Sequence, residues 1–279
     1  MDGRAQAGRD RGWRKMIKAR RPLRILAAMI AIALSAHAGA RAAASERTAL
    51  ATTPLVQQWR AGTGAFELAR GTPIVAAGGG PALDEAQKFA ADLAMQSGLR
   101  LSVQSQQATK RLPRDQGRIE VAVVTGDRAL GPEAYRIAIT DRSVRLEAST
   151  AAGLFYGFQT LLQLLKTSPD GRTLATGTIH DAPVHAIRSV MLDAGRRYYA
   201  MDSLVRFMRL MAWHKMNTLH LHLTDWPAFR LNSPKYPGLA PAQGSYSRAD
   251  IRRLEAVARR YHITIIPEID LPAHAVAVT

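Results

Sequence analysis

The sequence predicts an α/β protein built in two parts, an N-terminal α+β sandwich domain followed by the opening strands of a parallel (β/α) barrel. Three observations predict it. Before residue 167, short alternating strands lie beside amphipathic helices without strict alternation, as in a layered α+β domain. Beyond residue 185 the order becomes strand, helix, strand, helix, strand, which implies right-handed parallel crossovers. In this second part each apolar strand ends in a polar tip. His220-Leu221-His222-Leu223-Thr224-Asp225 is one such tip, and Pro267-Glu268-Ile269-Asp270-Leu271-Pro272-Ala273-His274 is another. A barrel of this kind builds its site from strand tips at one face.

The chain begins with a basic stretch to Arg24, an apolar run from Ile25 to Leu34, and small-residue sites at Ala36-His37-Ala38 and Ala40-Arg41-Ala42. That order is a secretory signal, so residues 1–42 are expected to be removed and the mature protein to begin near Ala43. The apolar run is shorter than the ~20 residues a spanning helix needs. An uncleaved N-terminal anchor is the alternative, and Met16 offers a second start. Arg20-Arg21 only loosely fits a twin-arginine signal.

Residues 43–180 read as the accessory domain and its linker, after a poorly patterned stretch from Ser45 to Arg70. Pro73 to Ala77 is a short strand closed by Gly78-Gly79-Gly80-Pro81. Leu83, Ala86, Phe89, Ala90 and Leu93 then recur at helical spacing as far as Gly98, a C-cap residue. Leu99–Val103 and Ile119–Val124 read as strands. Tyr135, Ile137 and Ile139, then Val144, Leu146 and Ala148, alternate on either side of an Asp141-Arg142 turn. A helix from about Ala151 to Lys166 carries Gly153 and Gly157, which either weaken it by ~1 kcal/mol each or let it approach a sheet closely. The region near 70–166 is expected to fold by itself. Pro, Gly, Asp and Thr from Ser168 to Val184 read as the linker.

Residues 181–279 read as the N-terminal part of the barrel. Ala186–Leu192 is a strand, Ser203–Lys215 a helix with Leu204, Phe207, Met208, Met211 and Ala212 inward, and Thr218–Leu223 the next strand. Arg248–Tyr261 is a helix, and Thr264-Ile265-Ile266 opens a third strand.

Composition narrows the function. The formal charge is +16, but ten basic residues against Asp2 and Asp10 in residues 1–42 carry +8 of it, leaving +8 for the rest. No basic stripe interleaved with aromatics appears, so nucleic-acid binding is not expected. The absence of cysteine excludes disulfides, thiolate metal sites, a Cys nucleophile and a lipid anchor on cysteine.

Chemistry concentrates at the strand tips. Asp193 and Arg196 follow the first barrel strand, Thr224 and Asp225 the second, and Glu268, Asp270 and His274 the third. Three separate loops thus aim acids, an arginine and a histidine at one place.

These residues resemble a known family. Leu192-Asp193-Ala194-Gly195-Arg196, Met211-Ala212-Trp213-His214-Lys215-Met216-Asn217, the two polar-tipped strands, Phe229-Arg230 and Lys235-Tyr236-Pro237 resemble, in order and spacing, the opening of the β-N-acetylhexosaminidase catalytic barrel of glycoside hydrolase family 20. Glu133 to Ile137 and Ala151 to Gly157 are similar to that family's accessory domain, so the resemblance covers about 70–279.

The resemblance implies the first three βα units of a TIM (β/α)8 barrel. It also implies removal of terminal β-linked N-acetylhexosamine by substrate-assisted, retaining hydrolysis, in which the substrate's acetamido oxygen attacks the anomeric carbon. It implies that Arg196 holds sugar hydroxyls, that Asp225 and His274 form a relay supporting the catalytic acid, and that Glu268 and Asp270, with Asp193 and His222, brace the site. In the family the acid and its acetamido-orienting partner are an adjacent Asp-Glu pair after the fourth strand. Asp84-Glu85 is the only Asp-Glu dipeptide here, and its place at a helix start reads as capping. The chain is therefore expected to be a fragment, inactive alone, with its barrel part poorly ordered or prone to aggregate. The expected partners are N-acetylhexosamine-containing oligosaccharides or glycoconjugates such as chitin fragments, peptidoglycan or glycan ends, with no metal or other cofactor and no stable membrane insertion after signal cleavage. The expected location is periplasmic or secreted.

Trp226-Pro227-Ala228 and Arg197 depart from the family pattern and alter the pocket rim. Two other readings stand beside this one. His220-x-His222 puts two imidazoles on one side of a strand, as in a metal-dependent amidohydrolase. A domain with an open barrel segment also suits a non-catalytic carbohydrate-binding remnant.

Overall fold

A computed structural model describes residues 50–77, 79–107, 117–127 and 130–278. The expected signal segment, with its cleavage site near Ala43 and the alternative start at Met16, lies outside the described residues. No helix among the described residues is long and apolar enough to cross a membrane.

The first part is one seven-stranded mixed sheet with two helices on it. Its elements are β1 (Gln58–Glu67), β2 (Ile74–Ala77), α1 (Gly80–Ser97), β3 (Val103–Ser105), β4 (Arg118–Val123), β5 (Tyr135–Ile139), β6 (Ser143–Ala148), α2 (Ala151–Thr167) and β7 (Thr173–Asp181). The strands lie in the order β1-β7-β5-β6-β4-β2-β3. Strands β3, β2, β4 and β6 run parallel, and β5, β7 and β1 complete the sheet in antiparallel pairs.

Alternation decides which face is covered. Tyr135, Ile137, Ile139, Val144, Leu146 and Ala148 are buried together with Phe89, Leu93, Leu154, Phe158 and Leu161 of the two helices. Phe89 stacks on Phe158 with ring centroids 4.4 Å apart. Helix α2 starts at Thr150, whose hydroxyl accepts from Gly153 N at 3.1 Å, an N-cap bond. Its glycines are there for closeness. A Cβ on Gly153 would stand 2.5 Å from the Ala134 carbonyl oxygen, and one on Gly157 would stand 2.4 Å from Leu146 Cδ1.

The structure corrects four expectations here. The stretch from Ser45 to Arg70 contains β1, and the Ser168–Val184 stretch contains β7. Both escape a periodicity reading because one flank of β1 is solvated, which erases the apolar alternation, and glycines punctuate both strands. A segment cut at 70–166 therefore lacks two strands of the sheet. The strand placed at Leu99–Val103 begins only at Val103. Asp84 and Glu85 do not cap α1, since the helix begins four residues earlier behind Gly79 and carries no acid in its first turn. Asp84 instead pairs with Lys88 at 2.7 Å, and the buried Glu85 reaches His262 Nε2 at 2.9 Å.

The second part comprises β8 (Ser189–Asp193), α3 (Met201–Trp213), β9 (Thr218–His222), the two-residue pair β10 (Thr224–Asp225) and β11 (Ala228–Phe229), α4 (Arg248–Arg260) and β12 (Thr264–Glu268). Strands β8, β9 and β12 form a parallel sheet with β9 in the middle, and it does not close into a barrel. The first of these strands begins at Ser189, three residues later than its apolar run; the Arg188 N–H just before it donates to the Asn217 side chain at 2.9 Å. Helix α4 opens with a capping box between Ser247 and Asp250.

The two parts meet across a buried polar seam. Lys215 Nζ donates to Asp181 Oδ2 at 2.8 Å and to Tyr135 Oη at 2.7 Å, and Arg188 lies 2.6 Å from Glu133. Gln163 Nε2 donates to Trp213 O at 2.6 Å, and Arg260 reaches Asp92 at 2.6 Å. Burial pulls the Lys215 amine below its ordinary pKa, and the Asp181 carboxylate opposes that shift.

Candidate active site

Register sets the site. Asp193, His222 and Glu268 are the last residues of β8, β9 and β12, and they lie side by side in the same row of the parallel sheet. Residues in one row of a parallel sheet share a face. One row back stand Met191, His220 and Ile266. The strand tips are also tied by backbone. Ala194 and Gly195 N–H groups donate to His222 O at 2.9 and 3.0 Å, and Leu223 N donates to Glu268 O at 3.0 Å.

Asp225 is the hub of the site. Its Oδ2 is 2.9 Å from Arg196 Nη2, 3.1 Å from His274 Nδ1 and 3.2 Å from His222 Nε2, and its Oδ1 accepts from Trp226 N at 2.6 Å. Burial pushes its carboxyl upward. The Trp226 N–H and His222, with the charges of Arg196 and His274, outweigh that effect and hold it below the usual carboxylate range. The side chain is 2% exposed, whereas those of Arg196 and His274 are 51% and 44% exposed. A buried acceptor thus holds two donors whose other sides face solvent.

Arg196 is held twice more by Asp193, through Nη1 at 2.6 Å and through its own backbone N–H at 2.9 Å. Glu268 Oε1 lies 2.9 Å from His222 Nδ1 and its Oε2 lies 2.5 Å from His220 Nε2. Burial raises the Glu268 carboxyl, but the adjoining His222 ring and its charge bring it below its ordinary value. Asp270 lies within 4.8 Å of the His222 and Glu268 ligand atoms.

The structure therefore brings together all seven residues singled out from the sequence, namely Asp193, Arg196, His222, Asp225, Glu268, Asp270 and His274. Sequence reasoning gave no role to Arg230. It is buried, and its guanidinium donates to Ala194 O at 2.8 Å, Gly195 O at 3.1 Å and Gly244 O at 2.8 Å, so it clamps the loop that presents Arg196. Gly195 lets this loop lie close against β10, since a Cβ there would stand 3.0–3.1 Å from Thr224 and Asp225. An arginine immediately after β11 carries no signal of this in sequence.

Two family profiles match this chain. That of glycosyl hydrolase family 20, domain 2, matches residues 49–182, and that of the glycosyl hydrolase family 20 catalytic domain matches residues 185–279. The chain belongs to glycosyl hydrolase family 20. Among curated relatives, a beta-hexosaminidase of Akkermansia muciniphila is 35% identical over 162 residues, which is 52% of this chain and 32% of that protein. A beta-N-acetylhexosaminidase of Cellulomonas fimi is 33% identical over 164 residues, 55% of this chain and 33% of that one. The solved structure of a family 20 beta-N-acetylhexosaminidase from Streptomyces coelicolor A3(2) superposes with a TM-score of 0.70 at 30% identity, covering 82% of this chain and 48% of that one. The chain thus spans about a third of the length of these curated relatives.

Two clusters of ligand-type side chains lie in this site. By distance alone His222, Asp225 and His274, or His222, Glu268 and Asp270, are close enough to share an ion. In the first group the shared oxygen already faces the Arg196 guanidinium, which would repel a cation. His220 and His222 approach different oxygens of the Glu268 carboxylate.

Proposed function

We propose that this chain carries the sugar-recognition and acid-support half of a β-N-acetylhexosaminidase site. The parent activity is removal of terminal β-linked GlcNAc or GalNAc from nonreducing ends. The observation that carries this reading is the convergence of Arg196, His222 and His274, from three separate strand ends, on one buried oxygen of Asp225.

The roles follow from the donors. Arg196 is locked by Asp193 and Asp225 with half its surface open, so its guanidinium is preorganised to receive sugar hydroxyls. His274 turns Nδ1 toward Asp225, which leaves Nε2 as the nitrogen available to a catalytic acid. In the family's substrate-assisted route the acetamido oxygen attacks the anomeric carbon while the acid protonates the leaving oxygen. The adjacent Asp-Glu pair that supplies those groups after the fourth strand has no counterpart at these three strand ends. Substrates of this class are chitin fragments, peptidoglycan and glycan termini, and the basic-apolar-small order of residues 1–42 supports a periplasmic or secreted setting.

The test is hydrolysis of an aryl N-acetyl-β-glucosaminide by a longer form of the chain that contains such a pair. Turnover that survives chelator is expected. Chelator-sensitive amide hydrolysis in its place overturns the reading.

A further inference from the structure

We infer that His222 is a positioning residue kept as an imidazolium cation, and that its charge fixes Asp225 and Glu268 as paired carboxylates behind the relay. Both ring nitrogens face carboxylate oxygens, Nε2 at 3.2 Å from Asp225 Oδ2 and Nδ1 at 2.9 Å from Glu268 Oε1. A neutral imidazole has one N–H and one bare lone pair, whereas an ionised carboxylate only accepts. Either neutral tautomer would leave a lone pair within 3.2 Å of a negative oxygen, on a side chain that is 3% exposed. Only the doubly protonated ring places a positively charged N–H beside both neighbours. The Nδ1 approach is at ion-pair distance without hydrogen-bond alignment, so the charge contributes more there than a directed bond.

The surroundings demand that charge from every side. Asp193 on β8, Asp225 on β10, Glu268 on β12 and Asp270 just beyond it face His222, against the single guanidinium of Arg196. Those four carboxylates and one arginine leave three negative charges unless histidines supply cations. His220 meets Glu268 at 2.5 Å, and the His274 ring stands edge-on to His222 at 5.7 Å. Burial disfavours the charged ring, yet Asp225 and Glu268 outweigh it and raise its pKa. With His222 charged, Asp225 stays an acceptor toward His274 Nδ1, which also lies 3.3 Å from Arg196 Nη2. This rests on the glycosidase reading for its purpose, but not for its measurement.

The test is ¹⁵N NMR of the histidine rings in the full chain, without substrate. Both His222 nitrogens should be protonated at pH 7. Glu268→Gln should bring the His222 transition down by about one pH unit or more, a tenfold change in proton affinity. A His222 ring that is neutral at pH 7 in the unsubstituted protein overturns the proposal, and this holds even if the variant fails to fold. A His222 spectrum altered by chelator, marking a bound metal, overturns it as well. Glycosidase activity plays no part in this readout, so its absence would count against the proposed function alone.

Discussion

Arg196 and Asp225 come from different strand ends, yet a 2.9 Å ion pair joins the half-exposed guanidinium to the buried acid. The residue assigned to the sugar and the residue assigned to the relay therefore share an oxygen. On the proposed roles, a change at Arg196 should therefore act on both binding and turnover.

The first prediction follows from that link. In a longer, active form, Arg196→Ala should raise KM by ~10- to 100-fold, since a hydrogen bond from a charged donor contributes ~1.5–3 kcal/mol. It should also lower kcat by a smaller factor, because Asp225 loses a neighbour. Arg196→Lys should not restore either, as an ammonium cannot bridge Asp193 and Asp225 with one fork. Steady-state kinetics read both, and unchanged KM and kcat in the alanine variant would place the first loop wrongly.

Acid should loosen the site before it unfolds the accessory sheet. The carboxyls of Asp225 and Glu268 are held below their ordinary values, so their contribution is present above the unfolded carboxylate pKa of ~4 and is lost as pH falls through the depressed values. His222 has the opposite sign: with its pKa raised, its contribution is full below ~6.5 and is lost as pH rises through the folded value. Melting temperature followed over pH 3–9 should decline at both limbs. Asp225→Asn should flatten the acid limb, and an unaltered limb in that variant would count against a buried ionised Asp225.

Gly153→Ala and Gly157→Ala should both destabilise the chain, although each removes a poor helix former. The gain of ~1 kcal/mol in propensity is opposed by overpacking of ~1–3 kcal/mol. Gly153→Ala should be the worse, because the new methyl meets a backbone carbonyl at Ala134, while at Gly157 it meets the end of Leu146. Urea midpoints of the two variants check the order, and a stabilised Gly153→Ala would contradict the close helix–sheet approach.

Much of this was legible in sequence, and the reason is physical. Strands β8, β9 and β12 announce themselves because a parallel strand covered by helices is a nearly continuous apolar run, and its polar tip stands out against it. His220, His222, Asp225, Glu268 and His274 were visible for that reason. Helix α2 was equally plain, with Leu154, Phe158, Leu161 and Leu165 in a wide apolar face. What stayed hidden was solvated or paired at a distance. Strand β1 exposes most of its residues, so Gln58 to Glu67 shows no apolar period. Glu85 and Asp92 read as ordinary helix acids because their partners, His262 and Arg260, lie more than 160 residues away. Arg230 clamps three carbonyls that no local pattern brings together.

The seam between the two parts should be expensive to break at one point and cheap to replace as a pair. Lys215→Met leaves Asp181 buried without its cation, and removing one member of a buried pair costs about 3–5 kcal/mol. The double variant Lys215→Met/Asp181→Asn should recover most of that loss, because Tyr135 and Gln57 can still bond the amide. Chemical denaturation of the two variants tests this. A single variant as stable as the unsubstituted protein would show that the pair is not a joint between the parts.

The proposed function assigns sugar recognition to Arg196 and support of a general acid to Asp225 and His274, and general acid catalysis typically contributes ~10²–10⁴-fold. Its most direct test is to assay residues 50–279 on an aryl N-acetyl-β-glucosaminide beside a longer form that carries the Asp-Glu pair. The account predicts turnover by the longer form, resistant to chelator and sharply reduced by Asp225→Asn or His274→Ala, with none from residues 50–279. Turnover by residues 50–279 at a rate close to that of the longer form would contradict it.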